Sequence, residues 1–244
     1  MKNRDAKIST SNLKFLPSLL AAFVAIATVA CNNNKEVFVT DIQSRPVLRS
    51  VVRPSSAKDF YTLGQYRQTQ GDSRGAIAAY SQAINLNSNN SDAYNKRGLA
   101  YFSLGNRQQA IADYNQAIRI NPKYAEAYNN RGNARAASGE RDAAVDDYSE
   151  AIRINPTYAV AYNNRGNART ALGDREGAIA DYDEAIRLSP NFAAAYNNRG
   201  NARAALGDKE GAMADLQKAA KIFEKQKNQQ LYQEVMNNMK ELGQ

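Results

Sequence analysis

AYNNRGNAR occupies residues 127–135, and the same nine letters return at 161–169 and 195–203, each copy 34 residues after the last. Residues on either side carry helical spacing, yet the string itself is poor helix material. Its three Asn and one Gly cost roughly 3 kcal/mol against alanine in helix propensity. A fixed period in this range is the signature of a solenoid, in which one supersecondary unit is stacked on copies of itself.

Working outward, the period extends over five units that begin at Ala57, Ser91, Ala125, Ala159 and Ala193. With positions numbered 1 to 34 in each unit, position 8 is Gly64, Gly98, Gly132, Gly166 and Gly200, and position 15 is again glycine in all five. Position 20 is Ala from Ala76 through Ala212, position 27 is Ala throughout, and position 24 is Tyr80, Tyr114, Tyr148, Tyr182 and then Leu216. Small residues at 8, 20 and 27 allow helices to approach closely, and bulky ones at 4 and 24 fill the space between. The glycine at 15 and the acid or Asn after it predict a turn followed by an N-cap. Pro122, Pro156 and Pro190 close the middle three units. Beyond residue 226 the repeat breaks. Leu231, Val235, Met239 and Leu242 still recur at helical spacing within 227–244, which predicts a capping helix over 229–242.

This pattern resembles the tetratricopeptide repeat, and the resemblance runs through residues 57–226 without a break. It implies an all-α fold: a right-handed superhelix of five helix-turn-helix repeats, each an antiparallel A/B pair, with a concave inner face and the C-terminal cap.

Residues on a helix are separated by ~100° of rotation, which divides AYNNRGNAR between two surfaces. The asparagines, at positions 5, 6 and 9, share one face about 100° wide, and the arginines, at 7 and 11, point away from it. Position 7 is Arg97, Arg131, Arg165 and Arg199 in units two to five, where position 23 is Asp113, Asp147, Asp181 and Asp215. Unit one has Leu63 and Ala79 in those places, so both charges are missing together. A partly buried guanidinium requires a carboxylate, and removing one partner alone costs about 3–5 kcal/mol. Four Arg–Asp bridges from helix A to helix B follow as an expectation. At position 11, Arg67, Arg135, Arg169 and Arg203 accompany an acid at 16, a second possible pairing.

Because positions 2, 5, 6 and 9 of helix A line the concave groove in tetratricopeptide proteins, the resemblance assigns peptide binding to the asparagine face. Its members are Asn95, then Asn129, Asn130 and Asn133, then Asn163, Asn164 and Asn167, then Asn197, Asn198 and Asn201. An Asn amide sets a donor beside an acceptor, which suits a peptide backbone. With A helices ~10 Å apart and an extended chain rising about 3.3 Å per residue, each rung would meet every third residue. Recent duplication of units three to five would also explain the recurrence. The carboxylate clamp of some family members is not matched, since Asn129, Ala194 and Asn198 stand where it needs charge.

The first thirty residues differ in kind. Lys2, Arg4, Lys7 and Lys14 precede the apolar run Phe15–Ala30, which at 16 residues is short of the ~20 that span a bilayer. Residues 1–30 therefore read as a secretory signal peptide. Cys31, the only cysteine, follows TVA at 28–30 in a manner that resembles the lipobox of bacterial lipoproteins, although Thr28 stands where Leu is usual. Lipidation at Cys31 and a flexible linker over 31–56 are the expectation, with several acyl chains giving stable anchoring. Asn32 favours the outer membrane where a cell has two.

The 244 residues carry 32 Lys+Arg against 24 Asp+Glu, but the stretch from Ala57 holds only 24 against 21. Nucleic acid is not an expected partner. No histidine is present for acid–base work, the one cysteine is assigned to the anchor, and no phosphate loop occurs, so neither enzyme nor cofactor is expected. The reading that results is an extracytoplasmic, lipid-anchored adaptor or scaffold for other envelope proteins. A self-assembling solenoid, or an assembly factor for pilus or outer-membrane complexes, is the alternative.

Overall fold

A computed structural model describes residues 36–39, 49–52 and 54–243, and places the signal peptide and Cys31 outside what is described. Strands β1 (Glu36–Val39) and β2 (Arg49–Val52) pair antiparallel, Glu36 opposite Val52 and Val39 opposite Arg49. Both strands fall within 31–56, where the sequence reading gave a flexible linker, and the alternation of Val37 and Val39 is the one sign of the first. Its partner strand had no signal in the sequence.

From Pro54 the chain is helical. The A helices are α1 (Ala57–Thr69), α3 (Ser91–Ser103), α5 (Ala125–Ala137), α7 (Ala159–Leu172) and α9 (Ala193–Ala205), each beginning on the first residue of a unit. The B helices are α2 (Ser73–Leu86), α4 (Arg107–Ile120), α6 (Arg141–Ile154), α8 (Arg175–Leu188) and α10 (Lys209–Lys225). Each helix packs on its neighbours in sequence, and each A helix also touches the next A helix. The last helix, α11 (Gln229–Leu242), packs on α10 and α9 as a sixth A helix would. Val235 is buried there, with Leu231, Met239 and Leu242 around it.

Every repeat is closed by the residue at position 24. A Cβ added to Gly132 would lie 2.7 Å from the Tyr148 ring, and one on Gly166 would lie 2.6 Å from Tyr182, so glycine sets the A–B spacing. The same ring packs against an alanine of the next A helix: Tyr80 with Ala100, Tyr114 with Ala134, Tyr148 with Ala168 and Tyr182 with Ala202. Burying each ring stabilises by on the order of 2 kcal/mol.

The A–B turn contains glycine at φ between +75° and +91°, the left-handed conformation that other residues adopt at a cost. The predicted N-cap at position 16 forms in only three units: Asp72 accepts from the Gly75 N–H, Asp174 from Gly177 and Asp208 from Gly211. Asn106 and Glu140 make no such bond, which corrects the expectation. The reason lies three residues on, where Gln109 and Ala143 replace glycine. A Cβ at Gly177 would meet the capping Asp174 carboxylate at 2.2 Å, so this cap geometry excludes any side chain there.

All four expected Arg–Asp bridges are present. Arg97, Arg131, Arg165 and Arg199 reach Asp113, Asp147, Asp181 and Asp215 at 2.6–2.7 Å through Nη2, and Nε bonds the same carboxylate. Two features lie beyond the sequence reading. The remaining Nη1 of each arginine crosses to position 25 of the preceding repeat, at Ser81, Asn115, Ser149 and Asp183. In addition, Arg135, Arg169 and Arg203 donate to the same aspartates at 2.8–2.9 Å, while the acids at position 16 lie 3.6–4.0 Å away. The position-11 arginines thus pair chiefly with the buried Asp. Only Arg67, whose unit has Ala79 in place of that Asp, falls back on Asp72 at 2.7 Å. The bond from Asp215 raises the Arg199 guanidinium above its ordinary range.

Asp113 is bonded by one arginine because position 11 of its unit is Tyr101, whereas Asp181 is bonded by two. Arg97→Leu should therefore destabilise by about 3–5 kcal/mol, the cost of stranding a buried charge. Arg165→Leu should cost roughly half as much, since Arg169 still satisfies Asp181. Urea denaturation ranks the two, and equal losses would refute the account of a shared carboxylate.

Candidate functional site

The face of the A helices opposite the arginines carries the asparagines. At position 5, Asn95, Asn129 and Asn163 are 3%, 3% and 6% exposed, so they lie within the stack and offer little surface to a partner. The amides at position 6 reach back to them: Asn130 Nδ2 donates to Asn95 Oδ1, Asn164 to Asn129 and Asn198 to Asn163, all at 3.0 Å. Asn164 and Asn198 donate a second bond to position 9 of the previous repeat, Asn133 at 3.1 Å and Asn167 at 2.8 Å. Asn95 donates on to the Tyr124 hydroxyl. The ten residues expected to contact a peptide thus include a hydrogen-bonded ladder from one A helix to the next. That structural duty was not visible in the sequence.

Position 9 is anchored from below. Tyr148 donates its hydroxyl to Asn133 Oδ1 and Tyr182 to Asn167 Oδ1, each at 2.8 Å. Burial pushes the pKa of both phenols up from the ordinary tyrosine value, so they remain protonated donors. Unit two lacks the acceptor, having Leu99 at this place, and the buried Tyr114 hydroxyl has no partner among the described residues. At the other end Leu216 replaces the tyrosine, and exposed Asn201 is met only by Asn238 at 3.4 Å. The carbonyl of half-buried Asn197 is the ladder's last acceptor and has no donor among the described residues.

Counting donors and acceptors shows what the face has left to offer. Asn164 and Asn198 spend both amide hydrogens on the preceding repeat, and their carbonyls receive only a 3.5 Å contact from the residue before. Asn133 and Asn167 have the opposite balance, with carbonyls that accept two bonds and amide hydrogens that remain free among the described residues. Each rung therefore presents an acceptor at position 6 and donors at position 9, in fixed orientation. Between α5 and α7 this face encloses a cavity of about 290 Å³ lined by Asn133, Asn164, Asn167, Tyr148, Arg141 and small alanines. No three Cys, Asp or Glu side chains among the described residues are grouped to hold a metal ion. No described helix is long and apolar enough to cross a membrane.

The family model of the TPR repeat matches residues 64–105, 98–139, 132–173 and 166–207, and that of the tetratricopeptide repeat matches 193–226. These spans cover more than half of the chain, which belongs to the tetratricopeptide-repeat family, a family of interaction scaffolds. Among solved structures, MamA is 31% identical with a TM-score of 0.61, over 68% of this chain and 97% of that one. MamA from Desulfovibrio magneticus is 18% identical with a TM-score of 0.64, over 71% and 98%. TTC0263, a TPR protein of Thermus thermophilus, is 20% identical with a TM-score of 0.62, over 74% and 99%; these last two likenesses concern the fold alone. Comparison with curated proteins gives no match.

The ladder yields a stability prediction. Asn164→Ala removes two inter-repeat bonds and leaves the buried Asn129 carbonyl unpaired, so unfolding free energy should fall by about 1–3 kcal/mol. Denaturant melts of the variant check this, and an unchanged midpoint would show the ladder to be energetically idle.

Proposed function

We propose that the asparagine face is a groove for extended peptide segments, and that the protein is a lipid-anchored adaptor assembling partner proteins in a bacterial envelope. The carrying observation is the fixed alternation of carbonyls at Asn164 and Asn198, each held only by a 3.5 Å contact, with amide hydrogens at Asn133 and Asn167 that are free among the described residues. A peptide backbone carries the complementary N–H and C=O groups and reads such a row without regard to side chains. Because neighbouring repeats already hold the amides in place, little ordering cost is left for binding. Family membership supports interaction with proteins as the purpose of the fold.

Asn133, Asn167 and Asn201 changed together to Asp tests the groove. Asp keeps an acceptor for Tyr148, Tyr182 and the position-6 amides but removes the free donors. The variant should keep a similar melting point and lose at least tenfold in capture of crosslinked partners from membranes, relative to the natural chain. Undiminished capture would sink the groove reading. Concentration-dependent oligomers as the sole product would favour the self-assembling alternative.

The anchor is carried by the charged start, the apolar run Phe15–Ala30 and the small residues before Cys31. Partners would then be other envelope proteins, on the outer membrane where there is one. Cys31→Ala expressed in bacteria should incorporate no labelled palmitate and should leave the membrane fraction; labelling equal to that of the natural chain would refute lipidation at this residue.

A further inference from the structure

At the first residue of four successive B helices the chain places a cation: Arg107, Arg141, Arg175 and Lys209. All four are exposed, and none forms an ion pair or side-chain hydrogen bond with a described residue. Arg153 is matched by Glu150 and Arg187 by Glu184, whereas exposed Arg74 and Arg119 stand without an ion pair to a described residue, so it is the recurrence at one register that sets this row apart. The position is also electrostatically adverse, since the start of a helix carries partial positive charge and favours anions. Cations held in four consecutive unfavourable places, without partners, indicate a use outside the fold.

The four cations share one helical register. Each cation lies seven residues before the position-24 residue of its helix, which is two turns along the same side. Arg141 accordingly lines the cavity beside Asn133, Asn164 and Tyr148. Nearby acids are turned away or occupied: Asp174 and Asp208 cap their helices, Glu140 lies 4.0 Å from Arg135, and Asp142, Glu176 and Glu210 point ~100° aside. The exposed acids Asp92 and Glu126 stand at the opposite ends of the A helices, eleven positions before the helix exits, or roughly 16 Å away at 1.5 Å per residue. That exceeds the screening length of about 8 Å at physiological salt.

We infer that the groove selects acidic extended peptides, with Arg107, Arg141, Arg175 and Lys209 each meeting a carboxylate at every third residue. The spacing follows from ~10 Å per repeat against about 3.3 Å per extended residue. This inference rests on the groove reading and adds selectivity to a face that otherwise reads only backbone.

Two labelled twelve-residue Gly/Ser peptides, one with Glu and one with Gln at every third position, test it on the full chain by fluorescence anisotropy. The Glu peptide should bind at least tenfold tighter at low salt and lose that margin as salt rises. The combined change Arg107→Gln, Arg141→Gln, Arg175→Gln and Lys209→Gln should abolish the margin while leaving Gln-peptide binding unchanged. Circular dichroism should show the helices intact, and Arg141→Gln with Arg175→Gln serves if the fourfold variant is unstable. Equal binding of both peptides to the natural chain would overturn acidic selection yet keep the groove. Failure of both to bind would remove both proposals. Row-dependent binding of a single-stranded oligonucleotide or of anionic vesicles, in place of the Glu peptide, would also overturn it.

Discussion

The phenol at position 24 is the joint on which the stack depends. Its ring sits where a glycine of the same repeat's A helix leaves room, and it closes against an alanine of the next. Its hydroxyl then fixes the carbonyl of an asparagine at the groove, and that carbonyl also receives the amide of the following repeat. One side chain therefore sets the spacing within a repeat, the contact between repeats and the direction of the groove amides. The two irregular units confirm the dependence. Where Leu99 removes the acceptor, the Tyr114 hydroxyl is stranded; where Leu216 removes the donor, Asn201 is met only by Asn238 at 3.4 Å among the described residues.

A second system, on the outer side of the A helices, couples the same neighbours through charge. Each position-7 arginine holds a buried Asp in its own repeat and reaches a polar group of the one before, while its guanidinium lies over a tyrosine ring at 5.3–5.6 Å. Nearest-neighbour contacts dominate such arrays, so stability is approximately a sum of repeat and interface terms. Unit one has no such arginine and no described repeat before it to reach, which accounts for the joint absence of charge at Leu63 and Ala79.

How much of this could be read beforehand depended on whether a contact stays within a repeat. The period, the Gly–Tyr fit, the position-7 bridges and the cap at 229–242 were legible, because helical angle and within-unit covariation report on a single A/B pair. The contacts between repeats were not. Angle arithmetic placed Asn130, Asn164 and Asn198 on one face and left them without structural duty, yet their partners are one repeat away at Asn95, Asn129 and Asn163. Position 11 was ambiguous for a related reason: two acids lay within reach along the sequence, and only packing shows the buried one to be closer. The missing caps at Asn106 and Glu140 could have been found from the absence of glycine three residues later.

These contacts also change what the near-identity of units three to five means. For asparagines that face only solvent or a ligand, duplication and selection are alternatives. The Asn at position 5, however, is an acceptor whose donor among the described residues is position 6 of the next unit, and position 9 takes its second bond from the same amide, so these bonds exist only between adjacent copies. Lys96 shows the boundary: with no asparagine pair in unit one to receive it, position 6 of unit two carries a different residue. Once the pattern arose, each further copy satisfied the last acceptor and exposed a new one, which the unpaired Asn197 carbonyl still marks at the end of the row. The groove is thus regular because the stack must be. If the face binds peptides as proposed, selectivity for a partner has to come from residues outside the ladder, which is the role proposed for the cations beside it.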